Sequence, residues 1–178
     1  MGQTVWDAAL GSLITDERLR EGYAYWCRKA AGGRLPRRAD IDPVEIPHLL
    51  PHIRLVDVLE QGRFRYRLVG TETRQQHKTD PTGRFLDEVL SPPSGPRIIE
   101  VYAECVRDRR SIYVEHEFIQ PNGRGVYRLS KALYTPLSED GITVNQVLVF
   151  HVLVATLPPQ LGLDLWAQPY RALVHAPL

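Results

Sequence analysis

The chain has 178 residues, 43% apolar and 24% charged, with a formal net charge of +1. These proportions exclude a disordered or fibrous chain, and a domain of this size buries roughly two-thirds of its unfolded surface without disulfide or metal staples. A charge so near zero provides no overall field to attract nucleic acid or an anionic membrane, so neither is expected as a partner.

The first predicted element is an amphipathic helix from Thr15 to Ala31. Thr15-Asp16-Glu17 is a helix start signal, and Leu19, Tyr23, Trp26, Cys27 and Ala30 share a face that ends at Gly32-Gly33. A face carrying such large aromatics must lie against the domain's own sheet or against a second copy of the chain. Pro36, Pro43, Pro47 and Pro51 then limit the chain to short turns, with Asp42-Pro43 as cap and first position of one of them.

Two strands are predicted next, Ile53 to Leu59 and Phe64 to Gly70, joined at Glu60-Gln61-Gly62-Arg63. Phe64, Tyr66 and Leu68 alternate with Arg65 and Arg67, which reads as one buried and one wet face. Residues 72–110 read as helical: Glu72 to Lys78, a turn at Asp80 to Gly83, a short helix around Phe85 to Leu90, a proline break at Pro92 to Pro96, and a longer helix from Arg97 to Arg109. The last carries Ile98, Val101, Tyr102, Cys105 and Val106 in one stripe.

Three hairpinned strands follow, Ile112 to Gln120, Val126 to Thr135 and Val144 to Ala155, turning at Pro121-Asn122-Gly123 and Asp140-Gly141. The last is apolar in both alternation phases, so both of its sides need cover. The tail after Thr156 carries Leu161, Leu163, Leu165, Trp166 and Tyr170 and is expected to dock on the domain or a partner. The fold class is α+β: a five-stranded antiparallel sheet with a central helical insertion, preceded by the N-terminal helix.

That order of elements resembles the PAS fold. Its details, Leu35 to Pro43, Ile46 to Pro51, Phe64 to Thr71, Gly83 to Asp87 and Tyr134 to Gly141, resemble a bacterial PAS family common as short stand-alone proteins in alphaproteobacteria. The resemblance runs from about Gly33 to Ala155. It divides the chain into an N-terminal helical extension (1–33), a PAS domain (34–155) and a tail (156–178). It implies a pocket between the inner sheet face and the central helices, occupied in the class by haem, flavin, organic acids or nothing, and an outer face or flanking helix that dimerises. The expected function is non-catalytic: a sensory or signalling domain that binds a small ligand or a partner protein, most simply as a homodimer. Two alternatives stay open, an interaction module whose pocket is filled by its own side chains, and a small-ligand enzyme of a cone-shaped α+β fold.

Expected pocket residues are Tyr66, Leu68, Phe85, Tyr102, Val106, His116, Phe118 and Tyr127. Leu19, Tyr23, Trp26 and Phe150 are expected at the helix packing or dimer surface. No catalytic or metal-ligating residue is expected. Cys27 and Cys105 lie far apart, without a CxxC partner, and read as packed thiols. Haem is not expected, because His77 sits among Gln75, Gln76 and Lys78 as on a solvated helix face, and His116 and His151 read as strand histidines. Flavin photochemistry is not expected, because Cys105 lacks the Asn-Cys-Arg-Phe context it needs. Glu115 and Glu117 share a strand face and read as wet-face charges. Tyr66 with Glu115 or Asp57 is the one set an enzyme could use. Arg63, Arg65, Arg67, Arg124 and Arg128 read as a solvated arginine band. The start Met1 to Trp6 has neither the basic nor the apolar region of a secretion signal, and no apolar run nears the roughly 20 residues of a membrane span, so a cytoplasmic protein is expected.

Overall fold

A computed structural model describes residues 8–30, 32–75, 80–92, 94–119, 127–154 and 171–177, with only the backbone described for 8–10, 116–119, 127–128 and 171–177. Its strands are β1 (Ile53–Val58), β2 (Phe64–Val69), β3 (Ile112–Ile119), β4 (Tyr127–Leu137), β5 (Gln146–Val154) and β6 (Arg171–Pro177). They form one sheet in the order β2-β1-β5-β4-β3-β6, with every pairing antiparallel. The five strands read from the sequence are all present, within one or two residues at each end. β6 was not foreseen as a strand; it extends the sheet by pairing with β3. The apolar tail residues Leu161 to Tyr170 lie outside the described residues, as does the turn at Pro121 to Gly123.

Helices α1 (Ala8–Leu13) and α2 (Glu17–Lys29) precede the sheet, and α3 (Thr71–Arg74), α4 (Leu86–Val89) and α5 (Ser94–Asp108) interrupt it between β2 and β3. That insertion carries the chain from one edge strand to the opposite side of the sheet. α5 begins at Ser94, ahead of the expected Arg97, and holds Pro96 in its first turn. Proline is tolerated there because the first-turn N–H groups have no helical acceptor.

α2 starts where Asp16 accepts a hydrogen bond from the Arg18 backbone N–H at 3.0 Å. It stops before Gly32 and Gly33, whose φ of 84° and 76° lie in the left-handed region that ends helices. Its apolar face lies on the outer face of its own sheet, where Leu19, Tyr23 and Trp26 pack with Leu55, Leu133, Leu148, Phe150 and Val152. Each side chain buried this completely contributes roughly 1.5–3 kcal/mol. The 3-10 turns at Arg38–Asp40, Pro43–Glu45 and Pro47–His52 wrap the other side of α2. The Tyr25 hydroxyl accepts from the Asp42 backbone N–H at 2.8 Å, and the Asp42 side chain caps its own turn by accepting from the Val44 N–H at 2.9 Å.

The Trp26 indole N–H donates to the Pro136 carbonyl at 3.0 Å, a buried tie from α2 to β4. A second tie corrects the reading of Glu115 as a wet-face charge. Glu115 is 8% exposed. It accepts from Tyr113 and from Thr15, the latter at 3.1 Å, and pairs with Lys131 at 3.1 Å. Burial acts to raise its pKa, but the bonds from Tyr113, Lys131 and Thr15 outweigh it and hold the carboxyl below its ordinary value.

Candidate functional site

The inner face of the sheet and α5 enclose a second apolar cluster. β5 serves both layers, with Val147 and Val149 on the inner face and Leu148, Phe150 and Val152 on the outer. Both alternation phases are buried, as the sequence requires. α5 presents Val101, Tyr102 and Cys105 to the inner face, and Ile98 and Val106 pack at its margin.

The strand register determines what meets what. Val69, Arg54, Val149, Tyr134 and Ile112 form one row across five strands, and Tyr66, Val56 and Val147 form the next. Tyr102 lies over these rows, its ring 5.4 Å from that of Phe64 and 4.9 Å from that of Tyr134 in a T-shaped contact. Arg54 is therefore a cation within an aromatic and aliphatic layer, 7% exposed. Its Nε has no hydrogen-bond partner, and no carboxylate among the described residues forms an ion pair with it.

Burial raises the pKa of the Tyr66 hydroxyl, and that of Tyr102 still further, while the nearby positive charge of Arg54 acts against the rise in both. Tyr102 Oη is nonetheless buried without a well-formed hydrogen bond. Farther along the inner face the Ser130 hydroxyl and His151 Nε2 are hydrogen-bonded at 2.9 Å, and both residues are buried.

The structure thus brings together Tyr66 and Tyr102 from the expected pocket set, with Val106 beside them. Leu68 lies elsewhere: a bulge between Leu55 and Val56 puts Leu68 opposite Leu55, on the outer face, and leaves it 41% exposed. Phe85 sits at the β2 edge beneath the Arg63 guanidinium, 3.6 Å from ring centre. His116, Phe118 and Tyr127 lie on β3 and β4, their side chains outside the described residues, and His77, Arg124 and the Arg128 side chain are likewise outside them. Leu19, Tyr23, Trp26 and Phe150 form one cluster within a single chain.

The enzyme set is not assembled. Tyr66 faces inward, whereas Glu115 lies under α2 and Asp57 bonds Arg65 and Gln146. Arg63 pairs with Asp87 and Arg65 with Asp57, so these two members of the arginine band are neutralised. Burial pushes the Cys27 thiol up to about 11 and that of Cys105 higher still, which makes both poor nucleophiles. Among the described residues no group of three or more metal-ligating side chains occurs, and no helix is long and apolar enough to cross a membrane.

Arg54 and Tyr134 are absent from the expected pocket. The signal for Arg54 was its phase: it alternates with Ile53 and Leu55 but shares its own phase with Val56 and Val58, in a strand that is apolar on both sides.

A sheet interrupted by a helical insertion that packs across its inner face is the PAS arrangement, and a family model described as a PAS domain matches residues 14–150. The chain belongs to the PAS domain family. The match begins ahead of α2, so the helix that covers the outer face of this PAS domain lies within the matched span. No curated protein matches the chain. PAS domains are sensory and signalling modules, generally without catalytic activity. The cone-shaped fold considered from sequence is superseded by this assignment.

Proposed function

We propose that this PAS domain is a cytoplasmic, non-catalytic sensor that binds a small molecule between the inner sheet face and α5 and reports its presence through α2, with a second copy of the chain as the favoured partner. The observation that carries the reading is β5. Its inner side chains, Val147 and Val149, contact the layer in which a guest would sit, and its outer side chains, Leu148, Phe150 and Val152, are those on which α2 rests. Interiors are close-packed, so a displacement of the inner row is transmitted to the outer one. Neither haem nor flavin enters the proposal: His77 sits among Gln75, Gln76 and Lys78 as on a solvated helix face, and Cys105 lacks the Asn-Cys-Arg-Phe context.

A second reading is favoured by one observation. Phe64, Tyr66, Tyr102 and Tyr134 are all buried within the inner layer, which also suits a module whose interior is filled by its own side chains and which acts by docking alone. Native mass spectrometry with an absorbance scan, on protein purified from its own cells, separates the two. A noncovalent small mass supports the sensor; its absence, with one or two bare chains, supports the filled module.

A further inference from the structure

We infer that α2 is built in two parts that separate between Glu21 and Gly22, so that Ile14 to Glu21 is a latch that lifts from the sheet while Tyr23 to Ala30 stays seated. Use of the latch as the moving part of the output rests on the reading that α2 reports; the latch itself does not. The first part is bonded largely to itself. The Asp16 carboxylate accepts from the backbone N–H and the guanidinium of Arg18, and the Arg20 guanidinium donates to the Ile14 carbonyl at 3.1 Å. These bonds travel with the segment.

What seats it on the domain is the fully buried side chains of Ile14 and Leu19, the Thr15 hydroxyl, which donates to Glu115 and accepts from Lys131, and an exposed contact of Glu21 with His48. An exposed pair contributes little. When Thr15 leaves, Glu115 keeps Tyr113 and Lys131, so no charge loses its partner, and rehydration of that ion pair offsets part of the apolar exposure. The second part is held by three buried rings, Tyr23, Tyr25 and Trp26, of a kind that bury about 150–250 Å² each. Trp26 is also bonded to Pro136, Tyr25 to Asp42 and Lys29 to Glu45. The boundary falls at a glycine, the least helix-favouring residue after proline, and Gly22 itself rests on Phe150, so the break lies on its N-terminal side.

The chain's own buried thiols serve as references for the test, Cys27 within the second part and Cys105 in the inner layer. Leu19→Cys adds a reporter to the first part, and Ile14→Cys a second one. The folded full chain is labelled with a maleimide, the labelled positions are found by peptide mass spectrometry, and each rate is divided by that of the same thiol in the unfolded chain. The thiol introduced by Leu19→Cys or Ile14→Cys is expected to label about tenfold or more faster than Cys27, as separate opening of the first part requires. Thr15→Val, added to either reporter, should raise that rate by roughly threefold to tenfold, the effect of one hydrogen bond, and leave Cys27 unchanged.

Equal rates at the reporters and at Cys27, or Thr15→Val speeding Cys27 as much as the reporters, would overturn the inference, because α2 would then open as one body. Reporters no faster than Cys105 would also overturn it, since only global unfolding would then expose them. Protein as purified from its own cells, compared with protein stripped by unfolding and refolding, separates this inference from the reading above. If the first part opens as predicted but at the same rate in both preparations, the latch stands and the report through α2 fails.

Discussion

Gly22 of α2 lies directly against the ring of Phe150 on β5: a methyl group at Gly22 would sit 2.7 Å from Phe150 Cγ and Cδ1. The absent side chain is what allows α2 to seat closely on the outer face of the sheet. Gly22→Ala sets two effects against each other. Helix propensity favours alanine by about 1 kcal/mol, while overpacking a close-packed interface costs about 1–3 kcal/mol. The contact is shorter than van der Waals separation and Phe150 is 1% exposed, so overpacking is expected to prevail. Urea denaturation should give a net loss of up to about 2 kcal/mol; a gain would mean that α2 does not rest on Phe150 as described.

Glu115→Gln should destabilise the chain, because Lys131 is left in a largely buried position without its counter-charge. Their side chains are 11% and 13% exposed, so screening is limited, and the expected loss is about 1–3 kcal/mol. The pH dependence has a definite sign. The carboxyl is held below its ordinary value of 4.5, so its contribution is complete above that value and is lost as pH falls through the lower folded-state value. Acid titration of the folded fraction should therefore be less steep in Glu115→Gln than in the wild type between the two values.

Two tyrosines should respond differently to loss of their hydroxyls. Tyr25 is bonded to the Asp42 backbone N–H, so Tyr25→Phe removes a partly buried hydrogen bond at a cost of about 0.5–1.5 kcal/mol. Tyr102 Oη lacks a well-formed bond, so Tyr102→Phe should change the stability of the ligand-free chain by less than about 1 kcal/mol. Thermal denaturation of the two variants side by side checks the contrast.

Trp26→Phe removes the bond to the Pro136 carbonyl and leaves a gap at the centre of the α2 contact. A loss of about 2–4 kcal/mol is expected from the combined cavity and unsatisfied carbonyl. Amide exchange should show the loss concentrated in α2, with α5 little affected.

Much of this architecture is local and could be read directly. The Asp42-Pro43 cap, the α2 stripe, the Asp140-Gly141 turn and the double-sided β5 each depend on residues near one another in sequence, where turn chemistry and periodicity operate. The misses depend on distant partners. Glu115 looked wet because its burial comes from Thr15, a hundred residues away, and from Lys131 on the next strand. Leu68 looked inward because the bulge that reverses its alternation is specified by pairing with β1. β6 lacked a hairpin signal, since its neighbour β3 is remote in sequence. Arg54 was hidden for a related reason: in a strand apolar in both phases, sequence alone does not say which side is closed by α2 and which by α5.

Hydrogen exchange, comparing protein as purified from its own cells with protein stripped by unfolding and refolding, tests most directly whether β5 links the inner layer to α2. Slower exchange in both α5 and α2 of the unstripped protein is the predicted result. Protection confined to α5, with α2 exchanging at the same rate in both preparations, would contradict it.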